Sequence, residues 1–391
     1  MASPGEADLV AVVAPRRAAA DVIRSTWEDG DAVAVLDPTA PRPVIDALLG
    51  QLAPTAVVVD GERSTVPGGI PVPEGTAAVV VTSGTTAHPK GVELTYDGIT
   101  AIGHGWAAAM GHEPDDHWLV CVPLHHVAGL AILARASVTS AAVTVRDGFD
   151  LDDVARAPGA IGATLVSVVP TMLGRLLDAG APMHEYRRVV TGGAPIADAL
   201  RARASDGNVA VVDAYGQSET WGGCVANGVP IPGARVRLGE QDEIEIAGAM
   251  VMRDYRREPE ASRRAFTHDG WLRTGDVGVL TDGHVRVVDR LRDLVITGGV
   301  NVSPVEVEQV LALHPAVADC AVTGRADPEW GERVVAHVVP RDASAPPSLD
   351  DLRSFGRERL TAPKLPRELE LVDEIPRSTG GKVLRRELRD A

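Results

Sequence analysis

VVVTSGTTAHPKGVELTYDGI, residues 79–99, is the stretch that decides what kind of protein this is. An apolar run leads into small and hydroxyl-bearing residues, and a lysine follows within Pro-Lys-Gly. Small residues let backbone N–H groups approach an anion closely, while hydroxyls and a lysine add donors and positive charge. The spacing is not that of a Walker A loop, because Gly91 follows the lysine. We predict a different phosphate-binding loop, formed by Thr82, Ser83, Gly84, Thr85, Thr86 and Lys90.

Outward from this loop, short Val/Ala/Ile runs alternate with helical stretches as far as Pro230. A helix is predicted over 41–52, with proline near its first turn. Strands separated by helices indicate an α/β fold with layered, largely parallel sheets. The predicted strands are 32–36, 56–60, 77–81, 118–122, 142–146, 165–169, 188–191 and 209–212.

The pattern changes after Pro230. Polar and apolar residues alternate over 234–248 and 283–290, which predicts antiparallel strands with one solvated face. After Val300, helix and strand patterns predict a compact α+β unit of about 90 to 100 residues. We therefore predict a large α/β domain over 1–290, with mixed sheets and a β-rich subdomain. A small, mobile α+β domain follows over 291–391, and the joint lies at 289–293.

Bulk composition narrows the class of protein. The chain has 391 residues, more than one hydrophobic core usually serves, and a formal net charge of -16 with no long Lys/Arg run. This composition argues against a nucleic-acid partner. Three scattered cysteines without a C-x-x-C pair favour a reducing compartment without disulfides or a zinc site. The start lacks the layout of a signal peptide, and no apolar stretch of about 18 residues occurs, so we expect a cytoplasmic location and no membrane partner.

The string TSGTT-x-x-PKG closely resembles the phosphate loop of the adenylate-forming superfamily, which comprises acyl-CoA synthetases, peptide-synthetase adenylation domains and luciferases. Ala87 departs from the family pattern, which commonly has glycine there. Six motifs follow one another in family order across residues 82–382. The resemblance implies that the chain activates a carboxylic acid with ATP to form an acyl-adenylate, then passes the acyl group to coenzyme A. The implied cofactors and substrates are ATP, Mg²⁺, CoA and a small carboxylic acid.

Two central motifs imply further nucleotide contacts. AYGQSET, residues 214–220, is similar to Y-G-x-[ST]-E-T, which implies that Tyr215 stacks near adenine and that Glu219 binds Mg²⁺. DGWLRTGD, residues 269–276, is similar to G-W-x-x-T-G-D, which implies that Asp276 accepts hydrogen bonds from both ribose hydroxyls. Other implied ATP or AMP contacts are Gly193, Ala194, Asp213, Ala214, Gly216, Ser218 and Thr220, and Thr85 joins Glu219 as an implied metal ligand.

The remaining motifs imply a hinge and two alternating active-site segments. VDRLRD, residues 288–293, resembles the family hinge, where Arg290 contacts ribose or phosphate and Arg292 is the hinge residue. PRSTGGK, residues 376–382, implies that Lys382 contacts the carboxylate and α-phosphate during adenylation. The family rotates its small domain so that a second loop, here Gly298, Gly299 and Asn301, replaces the lysine and lines the CoA tunnel.

Local strings narrow the implied acid. VPLHHVAGL, VPTML, TGGAP and SETWGGC most closely resemble 2-succinylbenzoate–CoA ligases of menaquinone biosynthesis in actinobacteria. The resemblance implies that His126 is a catalytic gating residue beside the acyl and CoA channels. Small residues leave room for an aryl ring, and the implied acid pocket consists of His126, Gly192, Gly193, Gln217, Trp221 and Gly222. Gln217 and Trp221 depart from what the resemblance leads us to expect.

Three hypotheses remain open at this stage. The first is a succinylbenzoate–CoA ligase, and the second is a related ligase for another aryl or short-chain acid in specialised metabolism. The third is a degenerate homologue that binds nucleotide or a partner, against which the intact Lys90, Glu219, Asp276, Arg290 and Lys382 count. The acceptor also stays open between free CoA and a carrier-protein thiol. The oligomeric state stays open too, although homodimers are common in the family.

The motif series predicts that the two half-reactions respond differently to loss of Lys382. Lys382→Ala should abolish adenylation, because that step builds charge on the phosphate oxygens that the lysine neutralises. The same variant should still form thioester from presynthesised acyl-AMP and CoA. The two rates are measured separately by pyrophosphate release and by thioester formation, and an equal loss of both would contradict the assigned role.

Overall fold

The computed structural model describes residues 5–82, 89–377 and 383–389. Contacts between residues divide the chain into two compact units. The first unit comprises Met1–Val236 and Glu245–Arg273, and the second comprises Arg237–Ile244 and Thr274–Ala391. No helix within the described ranges has both the length and the apolar character needed to cross a membrane.

The strands are numbered in chain order: β1 Glu6–Ala7, β2 Leu9–Val13, β3 Ala32–Val35, β4 Ala56–Val59, β5 Glu62–Thr65, β6 Val72–Pro73, β7 Thr76–Thr82, β8 Lys90–Thr95, β9 His117–Val120, β10 Ala142–Val145, β11 Leu165–Val168, β12 Arg188–Gly192, β13 Val211–Tyr215, β14 Val225–Ala226, β15 Val229–Pro230, β16 Arg235–Leu238, β17 Glu243–Ala247, β18 Asp254–Tyr255, β19 Leu272–Thr281, β20 His284–Arg290, β21 Val295–Thr297, β22 Val300–Val302, β23 Val317–Asp327, β24 Gly331–Pro340 and β25 Glu368–Leu371. The helices are α1 Arg16–Glu28, α2 Arg42–Leu52, α3 Tyr96–Met110, α4 Val127–Thr139, α5 Leu151–Ile161, α6 Pro170–Asp178, α7 Asp198–Asp206, α8 Pro259–Ala265, α9 Pro304–Leu311, α10 Leu349–Gly356 and α11 Arg385–Arg389.

The first unit contains two seven-stranded mixed sheets. One has the order β18-β8-β7-β3-β2-β4-β5, and its central strands β2, β3, β4 and β7 pair in parallel. The other has the order β10-β9-β11-β12-β13-β14-β15 and is parallel as far as β13. Antiparallel strands complete the edges of both sheets. The predicted layered α/β fold is therefore confirmed for this unit.

Apolar side chains explain why these strands are buried. The first sheet packs through Leu9, Ala34 and Val79 onto Ile45 and Leu52 of helix α2. The second sheet buries a separate cluster with helices α5, α6 and α7. A parallel sheet covered on its faces needs continuous apolar strands, which is what the Val/Ala/Ile runs supply.

Two paired strands flank the predicted phosphate loop. Strands β7 and β8 run antiparallel, and Thr82 faces Lys90 across the pair. The Thr82 hydroxyl also donates to the Lys90 carbonyl oxygen, at 3.4 Å. Helix α3 begins only after β8, where the Thr95 hydroxyl accepts a hydrogen bond from the Gly98 N–H. The segment that follows the predicted loop is therefore strand β8.

The second unit contains a five-stranded sheet in the order β22-β21-β24-β23, with β25 beside β24. Helices α9 and α10 contribute Val307, Leu311 and Leu352 to its apolar core. A four-stranded sheet, in the order β16-β17-β19-β20, contains the points at which the chain passes from one unit to the other. The predicted α+β character of the C-terminal region and the antiparallel strands before it are confirmed.

The boundary between the two units and the predicted hinge lie at different positions in the chain. Residues 274–290 group with the C-terminal residues by contact, whereas the motif places the bend at 289–293. A hinge is defined by where the chain rotates, and a single structure records no rotation. The division into 1–290 and 291–391, and the mobility of the smaller part, stay predictions.

Candidate active site

Several predicted site residues lie outside the described ranges: Ser83, Gly84, Thr85, Thr86 and Lys382. The two residues that flank the phosphate loop, Thr82 and Lys90, are placed by the β7–β8 pairing. The other predicted nucleotide-binding residues are divided between the two units.

The ends of two neighbouring parallel strands gather part of the predicted nucleotide site. Gly192 ends β12 and faces Ala214 of β13, and a β-carbon on Gly192 would lie 3.1 Å from the Ala214 carbonyl oxygen. Gly193 and Ala194 follow β12, and Tyr215 ends β13. In open α/β sheets, ligands bind outside the carboxyl ends of the strands. The structure therefore brings these predicted contacts together at the expected edge.

The loop after β13 is folded tightly on itself. Gln217 and Thr220 form a reciprocal cap around a short 3₁₀ turn, Ser218–Thr220. A β-carbon on Gly216 would lie only 2.5 Å from the Gly223 Cα, so only glycine allows this approach. Asp213 is held from two sides, because Arg201 donates to its carboxylate at 2.8 Å and its own N–H donates to the Asn227 amide oxygen. Glu219 thus projects from a rigid turn.

Tyr255 connects Glu219 with Lys90. Its hydroxyl donates to Glu219 Oε1 at 2.8 Å, and Lys90 Nζ lies 4.6 Å from the centre of its ring. Burial, followed by the neighbouring Glu219 charge, raises the pKa of the Tyr255 phenol, so the hydroxyl remains a donor. Sequence reasoning missed Tyr255, because its contact with Glu219 spans 36 residues and depends on the pairing of β18 with β8.

Glu219 fits a magnesium ion that ATP brings with it. The parts of the chain described here contain no group of three or more His, Cys, Asp or Glu residues that would form a protein-built metal site. Mg²⁺ bound with substrate phosphates keeps several waters and takes only one or two carboxylates. A lone, half-buried carboxylate near Lys90 matches that donor set.

Trp221 is placed differently from the prediction. Its side chain is 0% exposed, its N–H donates to the Thr95 carbonyl oxygen at 3.2 Å, and its ring meets Trp27 edge-on. A β-carbon on Gly98 would collide with the indole, so helix α3 packs directly on it. The indole therefore anchors the loop to the core, and its predicted contact with the acid finds no support in this geometry. A β-carbon on the neighbouring Gly222 would lie 3.3 Å from the Val127 side chain at the start of α4.

His126 lies at the N-terminus of helix α4, where its ring packs 4.5 Å from that of His125. Asp37 lies 3.9 Å from His125 Nε2, and Arg16 also faces the pair. Desolvation and the His126 ring lower the pKa of His125 to about 4, and desolvation likewise lowers the pKa of His126. Both rings are therefore neutral at pH 7. Sequence reasoning assigned no role to His125, although it directly precedes His126.

Arg135 is a buried cation beside the Glu219 loop. It is 5% exposed and stacks on Trp106, with its guanidinium carbon 4.1 Å from the ring centre. Trp106 in turn donates to the Gly223 carbonyl oxygen at 3.0 Å, and a β-carbon on Gly223 would lie 3.3 Å from Arg135 Nη2. Within the described part of the chain, Arg135 makes no ion pair and its Nε has no hydrogen-bond partner. Sequence reasoning missed Arg135; a single arginine inside the apolar run of α4 shows a buried charge but not its stacking partner.

Asp276 and Arg290 lie together in the second unit. The two residues pair across strands β19 and β20, and Arg290 Nε lies 2.6 Å from Asp276 Oδ1. The predicted ribose and phosphate contacts are thus neighbours. Arg292, the predicted hinge residue, lies 3.6 Å from Asp293, and burial lowers its pKa.

The predicted CoA loop is a tight hairpin in the second unit. Gly298 and Gly299 have φ of 56° and 76°, which favours glycine, and Asn301 pairs with Ile296. The Gly298 N–H donates to the Trp330 carbonyl oxygen at 2.8 Å, and its Cα faces the Trp330 ring. The structure brings all three predicted residues into one turn.

The segment that contains Lys382 is anchored on both sides. Arg377 pairs with Val383 across an isolated bridge and donates to both oxygens of Asp319, at 2.8 and 3.0 Å. Arg385 donates to both oxygens of Glu308, at 2.7 and 2.8 Å. Glu308 belongs to helix α9, which follows the predicted CoA loop, so two segments that are distant in sequence meet in this unit.

Comparison with known families agrees with this arrangement. The family model described as AMP-binding enzyme matches residues 6–256, and the model of the AMP-binding enzyme C-terminal domain matches residues 306–382. The chain belongs to the AMP-binding enzyme family. The resemblance drawn from its motifs is thereby confirmed.

Individual proteins are similar to this chain over most of its length. A probable 2-succinylbenzoate–CoA ligase of Mycobacterium tuberculosis is 37% identical over 359 residues, covering 87% of this chain and 92% of that protein. The o-succinylbenzoate CoA synthetase of Bacillus subtilis, solved with its acyl-adenylate intermediate, has a TM-score of 0.86 and 27% identity, covering 98% of this chain and 88% of that one. The same enzyme solved with ATP and magnesium ion has a TM-score of 0.84 and 26% identity, covering 99% and 90%.

The lowered pKa of His125 predicts an acid-sensitive stability. Above the ordinary pKa of 6.5 the ring is neutral in both folded and unfolded chains, so it has no effect. As pH falls from 6.5 toward about 4, the unfolded chain gains a proton that the folded chain resists, and stability is lost. His125→Phe should therefore lose less stability than wild type as pH falls from 6.5 to 4.5.

Thermal unfolding between pH 7.5 and pH 4.5 measures this difference. His268→Gln is the control, because its side chain is 96% exposed and should leave the pH profile unchanged. An unaltered profile in His125→Phe would show that the neutral ring is not what makes the fold acid-sensitive.

Proposed function

We propose that this chain is an AMP-forming 2-succinylbenzoate–CoA ligase. Its relatives named for this activity cover most of the chain, and ATP, Mg²⁺ and CoA follow as the species the reaction uses. The observation that carries the choice of acid is Arg135, a buried cation without an ion-pair partner among the described residues, beside the Gly222–Gly223 loop.

An unpaired buried guanidinium is costly, because it has lost water without gaining an anion. Burial lowers the pKa of Arg135 to about 9, so the group is still charged at pH 7. A ligand carboxylate that reaches this guanidinium would satisfy the cation by charge-assisted hydrogen bonds. A monocarboxylic acid has only the carboxylate that becomes activated. A dicarboxylate such as 2-succinylbenzoate has one carboxylate for the phosphate and another for Arg135.

One small residue lies directly against this cation. A β-carbon on Gly223 would lie 3.3 Å from Arg135 Nη2 and 3.0 Å from the Trp106 ring, so glycine keeps the guanidinium and the indole uncovered on that side. The predicted roles of Gly192, Gly193, Gln217 and Gly222 in acid binding are kept in this proposal. Trp221 is left out, because its ring is enclosed in the core.

The first half-reaction forms the adenylate. A carboxylate oxygen attacks the α-phosphorus of ATP, the bond to the bridging oxygen breaks, and pyrophosphate leaves with the electron pair. We assign Lys90 and the 82–86 loop to the phosphates, Lys382 to the carboxylate and α-phosphate, and Asp276 and Arg290 to the ribose side. Mg²⁺, when bound with ATP, neutralises charge on the phosphate oxygens, and Glu219 would hold it. Fixed positive groups at the site of developing charge are the main source of rate.

The second half-reaction transfers the acyl group. The thiol sulfur of CoA attacks the acyl carbon, AMP leaves with the bonding pair, and the thiol proton is lost. We assign Gly298, Gly299 and Asn301 to the thiol path and the neutral His126 to its entrance. Rotation about Arg292 would exchange this loop for Lys382, as lid and domain motions do in other enzymes.

A cytoplasmic location is part of this proposal, because ATP and CoA are cytoplasmic substrates and all three cysteines are free thiols. A ligase for another aryl or short-chain acid is the alternative, and no single observation favours it over a dicarboxylate ligase. The homodimer stays a prediction.

Arg135→Met tests the assignment of the second carboxylate. Methionine fills similar space without charge, so the variant should fold. Thioester formation is measured with 2-succinylbenzoate and with its half ester, whose distal carboxylate is masked. Wild type should prefer the diacid by about 100-fold, the value of one buried charge-assisted contact, and the variant should lose that preference.

Arg175→Met is the matched control, because Arg175 stacks on Phe149 in the same unit and should leave the preference intact. An Arg135→Met protein that retains the wild-type preference would contradict the role of Arg135. Thioester formation by wild type with other acids only would favour the alternative ligase, and failure with every acid would favour a degenerate homologue.

A further inference from the structure

Strand β18 has a position that no motif predicts. It pairs antiparallel with β8, the strand that leaves the phosphate loop, so that Tyr255 faces Val92. The neighbouring Arg256 holds this edge in place, because its N–H donates to the Gly91 carbonyl oxygen at 2.7 Å and its Nε donates to the Leu52 carbonyl oxygen at 2.6 Å. Tyr255 therefore has a fixed backbone beside Lys90.

The same segment holds Glu219 twice. The Met252 N–H donates to the Glu219 carbonyl oxygen at 2.7 Å, and the Tyr255 hydroxyl donates to the Glu219 carboxylate at 2.8 Å. One contact fixes the main chain of the turn and the other fixes the direction of the side chain. The Tyr255 N–H is itself bound to Ser262 Oγ at 2.9 Å.

Tyr255 also separates two opposite charges. Lys90 Nζ lies over its ring at 4.6 Å from the centre, while Glu219 accepts from its hydroxyl. Among the described residues, Lys90 and Glu219 form no direct ion pair, although both contact the same tyrosine. A direct pair would neutralise the cation needed by phosphate and the anion needed by a metal. The cation–π contact and the hydroxyl hydrogen bond hold each group without cancelling it.

The hydroxyl also limits how the carboxylate can bind a cation. Its hydrogen bond uses one lone pair of Oε1, so Oε2 is the less encumbered oxygen for a single bond to a cation. One-oxygen coordination suits an octahedral Mg²⁺ that keeps its waters and its phosphate ligands.

We propose that Tyr255 is a positioning residue that holds Glu219 for one-oxygen binding of Mg·ATP and keeps Lys90 apart from it. This role rests on the proposed function, in which Glu219 meets the metal and Lys90 meets the phosphates. Lys90 and Glu219 come from two different motifs, and the pairing of β8 with β18 aligns them through Tyr255.

Tyr255→Phe isolates the hydroxyl, because phenylalanine keeps the ring beside Lys90 and the packing of the strand. Calorimetry without acid or CoA compares the affinity for a non-cleavable ATP analogue with Mg²⁺ and with EDTA. The variant should bind the magnesium complex about tenfold more weakly, as loss of one charge-assisted hydrogen bond implies, while its affinity in EDTA stays that of wild type.

Tyr96→Phe is the control, since Tyr96 is, like Tyr255, a half-buried phenol of the first unit, and it donates to the Asp31 carbonyl oxygen at 2.6 Å. It should change neither affinity. Equal weakening of Tyr255→Phe with and without metal would mean a general structural role, and wild-type affinity in both conditions would mean no role; either contradicts the proposal. A wild-type protein that binds the analogue in neither condition would contradict the proposed function itself.

Discussion

The antiparallel pairing of β7, β8 and β18 is the constraint on which the candidate site depends. The β7–β8 register sets Thr82 opposite Lys90 at the ends of the phosphate loop. The β8–β18 register then places Tyr255 between Lys90 and Glu219. Because side chains alternate faces along a strand, a slip of one residue would turn Tyr255 away from both. The buried Arg256, fixed to β8 and to helix α2 by its hydrogen bonds, holds this register.

A second constraint is the charge balance of the first unit. The buried Arg256 has Glu93 as its ion-pair partner at 3.3 Å, and Arg187 contacts Asp116. Arg135 differs, because its protein neighbours are an indole ring and glycine backbone. Among the described residues, Arg256 and the partly buried Arg187 have carboxylate partners, whereas the buried Arg135 has none, which points to an anionic group on the ligand. That contrast is why we favour a dicarboxylic acid.

Much of this could be predicted from sequence, for identifiable reasons. Apolar runs predicted the parallel strands of both large sheets except β2, and motif order indicated the residues at the ends of β12 and β13. The antiparallel edge strands, β8 and β18 among them, were not predicted. What was not predictable depended on contacts distant in sequence. Tyr255 and Arg135 act through pairing and stacking that no local pattern encodes. Trp221 was assigned to the acid pocket from its neighbours in the motif, but its left-handed backbone, with φ of 53°, directs the ring into the core.

The central claim is that the acid is activated as an adenylate before any thiol takes part. Exchange of labelled pyrophosphate into ATP, measured without CoA, tests that claim most directly. The account predicts exchange that requires both 2-succinylbenzoate and Mg²⁺ and proceeds in the complete absence of CoA. Exchange that requires CoA, or none at all in a folded protein that binds ATP, would contradict it.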